Sequence, residues 1–135
     1  MLKPLIISSL FALSLLAAQT ACPPNYYEGI APDIVNPKLT PKSKELCFDG
    51  FGVMHSGITK TALWSAEYLD RNRLSAKLPR KDSFHAEERL RSGERAELSD
   101  YARSGYDRGH MSPNADMPTL SSQHDSFSLA NMVPQ

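Results

Sequence analysis

An acid, a guanidinium, a glycine and an imidazole occupy consecutive positions in the segment "GYDRGHMSP", residues 105–113. A neutral imidazole with a pKa near about 6.5 can take a proton from water at physiological pH, so His110 is a candidate general base. Arg108 offers a planar fork of donors that suits two phosphate oxygens, and Asp107 is placed either to orient that fork or to accept from nearby backbone amides. This set suits hydrolysis at phosphorus. Taken alone, the same residues more often mark a structural histidine beside an ordinary turn.

Four separated segments add context to this motif. They are "TKTALWSAEYL", "RKDSFHAEERL", "DRGHMSPNADM" and "SFSLANMVPQ", in that order along the chain. Together they resemble the DNA/RNA non-specific endonuclease family, the Serratia-type metal-dependent ββα nucleases. The resemblance runs from about Cys22 to Gln135, and several motifs in the right order are a stronger signal than one tetrapeptide.

The resemblance implies a role for each matching side chain. His110 matches the family's general base, which activates the attacking water. Arg108 matches the arginine close to the scissile phosphate, and Asp107 has a supporting role. Arg80, in "PRKDSFH", stands where the family has an arginine that stabilises charge on the phosphorane. A solvated arginine in a basic run is the alternative interpretation of Arg80.

The resemblance also implies a divalent cation, Mg²⁺ or another such as Mn²⁺. Attack on a phosphodiester builds negative charge that a hydrated cation stabilises. Asn131, in the family's N-x-x-P-Q signature, is expected to support the water shell of the metal, and Gln135 is a weaker candidate for the same neighbourhood. The direct ligand is expected on a helix beyond Gln135.

The expected fold is therefore α+β, the N-terminal portion of a ββα-metal nuclease with an antiparallel sheet. The metal-binding helix would lie beyond the chain end, so we expect a C-terminally truncated product with little or no activity. In that case the apolar strand near residues 127–134 would lose its packing partners and expose apolar surface.

The first 21 residues have the pattern of a secretory signal peptide. Lys3 precedes a 14-residue apolar run, residues 5–18, followed by the small residues of "AAQTA". The run is too short for a membrane span, which takes about 20 apolar residues. We therefore expect residues 22–135 to be exported to the periplasm or secreted. In that oxidising compartment, Cys22 and Cys47 favour one disulfide over two unpaired thiols.

Residues 22–135 have room for one small domain. The proline-rich stretch 23–46 predicts an extended arm with little regular structure. Alternation at residues 51–53 and 62–69 predicts an antiparallel hairpin with its turn at 56–60, and a helix over 62–69 is the alternative. A short helix is expected within 96–102, a short strand at the 106–113 motif, an irregular polar connection over 116–126, and a closing apolar run at 127–134.

Charge does not by itself indicate a nucleic-acid partner. Residues 22–135 contain 14 basic and 15 acidic residues, whereas residues 71–95 alone contain eight basic and four acidic ones. The predicted function is an exported, Mg-dependent endonuclease that hydrolyses DNA and RNA through backbone contacts. Two alternatives stay open: a non-catalytic nucleic-acid-binding remnant, and a small disulfide-stapled periplasmic domain with structural histidines. A zinc hydrolase is not favoured, because no H-E-x-x-H motif or paired short-spaced ligands occur.

Overall fold

The computed structural model describes residues 19–135. Most of the predicted signal peptide lies outside these residues, so that prediction stays untested. The described chain forms five strands and three short α-helices, joined by 3₁₀ turns. They are β1 Ser43–Phe48, β2 Phe51–Ser56, β3 Thr61–Glu67, α1 Arg71–Ser75, α2 Leu98–Tyr101, β4 Arg108–His110, α3 Leu120–Ser126 and β5 Met132–Pro134. No helix within residues 19–135 is long and apolar enough to cross a membrane.

Strands β1, β2 and β3 form an antiparallel sheet in that order. The predicted hairpin is confirmed: β2 and β3 pair across the turn at residues 57–60, with Met54 opposite Trp64. The alternative helix over 62–69 is wrong. The arm was predicted to reach residue 46, but β1 begins at Ser43, because Leu46 and Phe48 are buried while Lys44 stays exposed. This alternation begins only after the last proline of the arm, Pro41.

One face of this sheet packs on the main core. Its Leu46, Phe48, Phe51 and Val53 join the buried residues Leu90, Met117 and Ala130. Burial of this apolar surface is the main stabilising contribution.

The N-terminal arm covers the opposite face. Tyr26 lies edge-on against Trp64, with ring centroids 5.9 Å apart. The Tyr26 hydroxyl donates to Glu45 Oε1 at 2.7 Å, and burial, followed by the Glu45 carboxylate, raises the pKa of Tyr26. The structure contains the Cys22–Cys47 disulfide that the sequence favoured, with the two Cα atoms 5.8 Å apart. The bridge ties the arm to β1.

Strands β4 and β5 form a second antiparallel pair, with His110 opposite Met132. Two more backbone hydrogen bonds, 2.9 and 3.1 Å, join Asp107 and Gln135 and lengthen the ladder. Position 109 accepts only glycine without rearrangement, since an added Cβ would lie 2.9 Å from Gln135 Cβ and closer still to its amide oxygen. The predicted short strand at this motif is confirmed.

The irregular connection predicted for 116–126 is wrong over its second half, which forms α3. Thr119 caps the helix: its hydroxyl accepts from Ser122 N at 3.0 Å, and Ser122 Oγ accepts from Thr119 N at 3.1 Å. Pro118 precedes the cap, so its missing N–H costs the helix nothing.

The expected exposure of residues 127–134 is also wrong for most of that run. Phe127, Leu129 and Met132 are fully buried, and Ala130 is nearly so. The predicted α+β class with an antiparallel sheet is confirmed.

Candidate active site

An open cleft of about 810 Å³ lies beside the β4–β5 pair. Residues 76–80 form one wall and residues 113–117 contribute to the other, with His110 and Gln135 between them. Lys77 and Arg80 give the cleft positive charge. Within residues 19–135, no aspartate or glutamate lines it. The cleft therefore suits an anionic group.

His110 ends β4 and is half-buried at this cleft. Its Nε2 is buried and has no hydrogen-bond partner among the described residues, which leaves Nδ1 as the ring nitrogen that solvent can reach. Burial lowers the pKa of His110, the positive charge of Arg80 lowers it further, and Asp82 opposes this. The ring is therefore neutral at pH 7, as a general base must be.

Two phenylalanines hold the predicted catalytic side chains close together. The His110 ring lies 5.0 Å from the Phe127 ring at 83° and 6.0 Å from the Phe84 ring. The guanidinium carbon of Arg108 lies 3.9 Å from the centre of the Phe84 ring, and that of Arg80 lies 5.4 Å from Phe127. We call Phe84 and Phe127 the aromatic pair. It brings the three predicted side chains into one neighbourhood, and their catalytic roles stay predictions.

The hydrogen-bond and ion-pair partners of Arg80 and Asp107 were not foreseen from the sequence. Arg80 is an exposed side chain that lines the cleft, and its Nε donates to Asp82 Oδ1 at 2.6 Å, so both interpretations of Arg80 stay open. Asp107 was expected to orient the Arg108 fork, but within the described range its exposed carboxylate takes part in no hydrogen bond or ion pair. Arg108 is held by the Phe84 ring instead.

Asn131 does not have the arrangement expected of a residue that supports a metal's water shell. Its side chain is 0% exposed. The amide oxygen accepts from Ser112 N at 2.9 Å, and the amide nitrogen donates to Ser112 O and Ser126 O, both at 2.9 Å. The amide is occupied by backbone partners, so Asn131 ties the segment after β4 to the end of α3.

Gln135 and Asn114 are the amide side chains of the cleft. Gln135 lines the cleft and its side chain packs against Gly109, while its expected support of a metal stays a prediction. Asn114 was not foreseen, and its Nδ2 is buried with no partner in the described chain. The aromatic pair was missed too, although each phenylalanine lies inside a segment that carried the family resemblance.

The cleft is a poor magnesium site on these residues alone. Mg²⁺ is usually held through one or two carboxylates in addition to water, and the described lining supplies only amide oxygens. The single cluster of potential ligands found within residues 19–135 is Cys22, Glu45 and Cys47. It is not a metal site, because both sulfurs are joined in the disulfide.

The chain is similar in sequence to several known nucleases. The chain is 40% identical over 80 residues to a mitochondrial nuclease of Saccharomyces cerevisiae, covering 57% of this chain and 24% of the relative. It is 34% identical over 100 residues to a nuclease of Nostoc, covering 73% and 36%. Against human mitochondrial endonuclease G the identity is 33% over 99 residues, covering 70% and 31%. The chain thus spans about a quarter to a third of the length of these relatives.

The fold comparison agrees. The crystal structure of an EndoG/EndoGI complex matches with a TM-score of 0.64 at 26% identity, covering 67% of this chain and 39% of that chain. The family model for DNA/RNA non-specific endonucleases matches residues 31–135. These residues include the β4–β5 pair, the aromatic pair and the whole cleft lining. The chain belongs to the DNA/RNA non-specific endonuclease family.

Proposed function

We propose that this chain supplies the general base and the phosphate-binding arginines of an endonuclease that hydrolyses phosphodiester bonds in DNA and RNA. One observation carries the proposal. A half-buried histidine, His110, presents a single ring nitrogen to a cationic cleft whose described lining holds no carboxylate; Arg80 lines the same cleft, and Arg108 lies over the Phe84 ring that also contacts His110.

The geometry of His110 favours proton transfer through Nδ1. Its Nε2 is enclosed by protein and cannot exchange a proton with a bound water. The neutral ring with its hydrogen on Nε2 leaves the Nδ1 lone pair free to accept a proton from the attacking water. A positioned base of this kind contributes about 10²- to 10⁴-fold in rate.

The arginines provide positive charge where negative charge grows. Arg108 keeps its N–H edge available because it rests on a ring face rather than on a carboxylate. Arg80 lies on the cleft with its Nε on Asp82, which leaves its terminal nitrogens for a phosphate oxygen. Donors aimed at the non-bridging oxygens of the phosphate stabilise the transition state more than the ground state.

Contacts of this type read the nucleic-acid backbone and not the bases. Binding through phosphates gives affinity without sequence preference and weakens steeply with salt. Both DNA and RNA fit this description, since each presents the same phosphodiester.

A divalent cation, Mg²⁺ or another such as Mn²⁺, is the proposed cofactor. When bound, it would stabilise charge on the phosphate and the leaving oxygen. The described cleft offers it the amide oxygens of Asn114 and Gln135. The direct ligand that the sequence analysis placed beyond Gln135 stays a prediction.

We also propose that the protein is exported, to the periplasm or beyond. The pattern of residues 1–21 supports this, as does the Cys22–Cys47 disulfide, which persists in oxidising compartments.

A non-catalytic nucleic-acid-binding protein is the second candidate. The positive charge of the cleft, whose described lining holds no carboxylate, favours it, because charge alone suffices for binding whereas turnover needs the cation. The nuclease and the binding protein predict different effects of replacing His110.

The experiment uses the protein of residues 22–135 and supercoiled plasmid DNA with MgCl₂ or MnCl₂. His110→Ala is compared with His124→Ala, a change at an exposed histidine. Little nicking is expected from this chain, and the nuclease function predicts that the nicking rate of the unchanged protein is kept by His124→Ala and falls at least about 100-fold in His110→Ala. Salt-sensitive binding without nicking in all three proteins would establish the binding function instead.

A further inference from the structure

The aromatic pair connects three side chains that lie far apart in the sequence. Phe84 contacts Arg108 and His110, and Phe127 contacts His110 and Arg80. The two rings also contact each other edge to face, with centroids 4.9 Å apart at 87°.

The backbone holds the aromatic pair in register. His85 N donates to Phe127 O at 3.3 Å, and Leu129 N donates to His85 O at 2.8 Å. The residues directly after Phe84 and around Phe127 thus form a short parallel bridge. Because Phe127 is fully buried, this bridge fixes the two rings against the core.

We propose that Phe84 and Phe127 are positioning residues for the phosphodiester reaction: Phe84 orients the Arg108 guanidinium, and the two rings together set the orientation of the His110 imidazole. The inference rests on the proposed function, since it concerns the same side chains, His110 and Arg108.

A ring face serves Arg108 better than a carboxylate would. A guanidinium over an aromatic ring is attracted by the ring's quadrupole, and its edge donors stay free. Arg89 shows the contrast: its Nε and Nη2 donate to the two carboxylate oxygens of Glu87 at 2.7 and 2.9 Å. Donors used in that way are not available to a phosphate.

The rings also restrict the His110 imidazole. Both Phe84 and Phe127 lie against it, and its Nε2 is buried. The charged groups near the ring are Arg80, which lines the cleft together with Lys77, and Asp82, which pairs with Arg80; Arg108 precedes His110 by two residues on β4. Loss of the Phe84 ring would admit water and let both Arg108 and His110 move.

Phe48 provides a matched control within the same chain. It too lies under an arginine, with the Arg89 guanidinium carbon 4.4 Å from the ring centre, and it stacks on Phe51 at 4.6 Å. It belongs to the sheet core, and its ring contacts are with Phe51 and Arg89 rather than with His110 or Arg108. A change there tests the loss of a buried phenylalanine under an arginine without touching the site.

The experiment compares Phe84→Leu, Phe84→Tyr and Phe48→Leu. Steady-state hydrolysis of plasmid DNA with MgCl₂ gives kcat and KM, and NMR follows the His110 ring signals from pH 4 to pH 9. Phe84→Leu is expected to lower kcat about 10- to 100-fold with a smaller change in KM. It should also move the His110 titration toward higher pH. Phe84→Tyr should recover most of the loss, while Phe48→Leu should reduce stability and leave the His110 titration in place.

The two readouts separate the inference from the proposed function. If the unchanged protein hydrolyses nothing, the proposed function fails, and the NMR comparison still tests the positioning role. If Phe84→Leu and Phe48→Leu give the same kcat loss and the same unchanged His110 titration, Phe84 is an ordinary core residue and the inference is overturned.

Discussion

Replacing Glu67 with glutamine should stabilise the protein at alkaline pH. Glu67 ends β3, and its Oε2 is buried with no partner among the described residues. Burial first, and then the negative charge of Asp116, raise the pKa of Glu67 to about 7, while Arg73 opposes this. The folded protein therefore favours the protonated carboxyl, and ionising it costs free energy of folding.

The size and direction of the effect follow from this pKa. A rise from 4.5 to about 7 corresponds to about 3.4 kcal/mol at about 1.4 kcal/mol per pH unit. Because Glu67 is only partly buried, solvent screening reduces the expected cost to about 1–2 kcal/mol. Below about pH 4.5 the carboxyl is protonated in both the folded and the unfolded protein, so this cost is absent. The cost grows as the pH rises toward 7 and is present in full above pH 7.

Urea unfolding of the protein and of Glu67→Gln, at pH 8 and at pH 5, measures this cost. We expect the free energy of unfolding to rise by about 1–2 kcal/mol at pH 8 and by about a quarter of that at pH 5. Glu88→Gln, a change at an exposed acid, is the control and should have little effect at either pH. Equal destabilisation by Glu67→Gln at both pH values would refute the reasoning.

Three further predictions concern stability. Burial lowers the pKa of His55, whose Nε2 lies 2.8 Å from Glu94 O and whose Nδ1 is buried without a described partner. The free energy of unfolding should therefore fall as the pH drops below about 6.5. The variant His55→Asn should flatten that pH dependence in urea titrations between pH 7 and pH 5. Asn131→Ala removes three buried hydrogen bonds and should lower the free energy of unfolding by about 2–4 kcal/mol, and a loss below about 0.5 kcal/mol would contradict its tying role. Gly109→Ala should cost about 1–3 kcal/mol, whereas Gly93→Ala, where an added Cβ meets nothing within 4 Å, should cost little in the same thermal melts.

Strongly patterned segments could be predicted from the sequence. The β2–β3 hairpin was accessible because Phe51 and Val53 alternate with small residues and Trp64 favours a strand. Helix α3 was missed for a physical reason: its buried positions are Ser122, Gln123 and Ser126, so it has no apolar periodicity to detect. Its stability comes from the Thr119 cap and from polar contacts that only the fold reveals.

The site was predictable in its chemistry and less so in its contacts. The motif identified His110 as the candidate base, a role that stays a prediction, and the structure places Arg80 and Arg108 on the phenylalanine rings that contact it. The aromatic pair depends on packing between segments distant in sequence, which no local pattern encodes. For Asn131 the local motif suggested a contact that the fold does not make. Its amide was expected near a metal but holds backbone groups together instead.

The most direct test of this account is the protonation state of His110. Long-range ¹H–¹⁵N NMR spectra recorded from pH 4 to pH 9 report the tautomer and the pKa of each histidine. We expect the neutral His110 ring to carry its hydrogen on Nε2 and to titrate below the ordinary value of 6.5. A hydrogen on Nδ1, or a pKa above that value, would contradict the claim that His110 presents an unprotonated Nδ1 to the cleft at neutral pH.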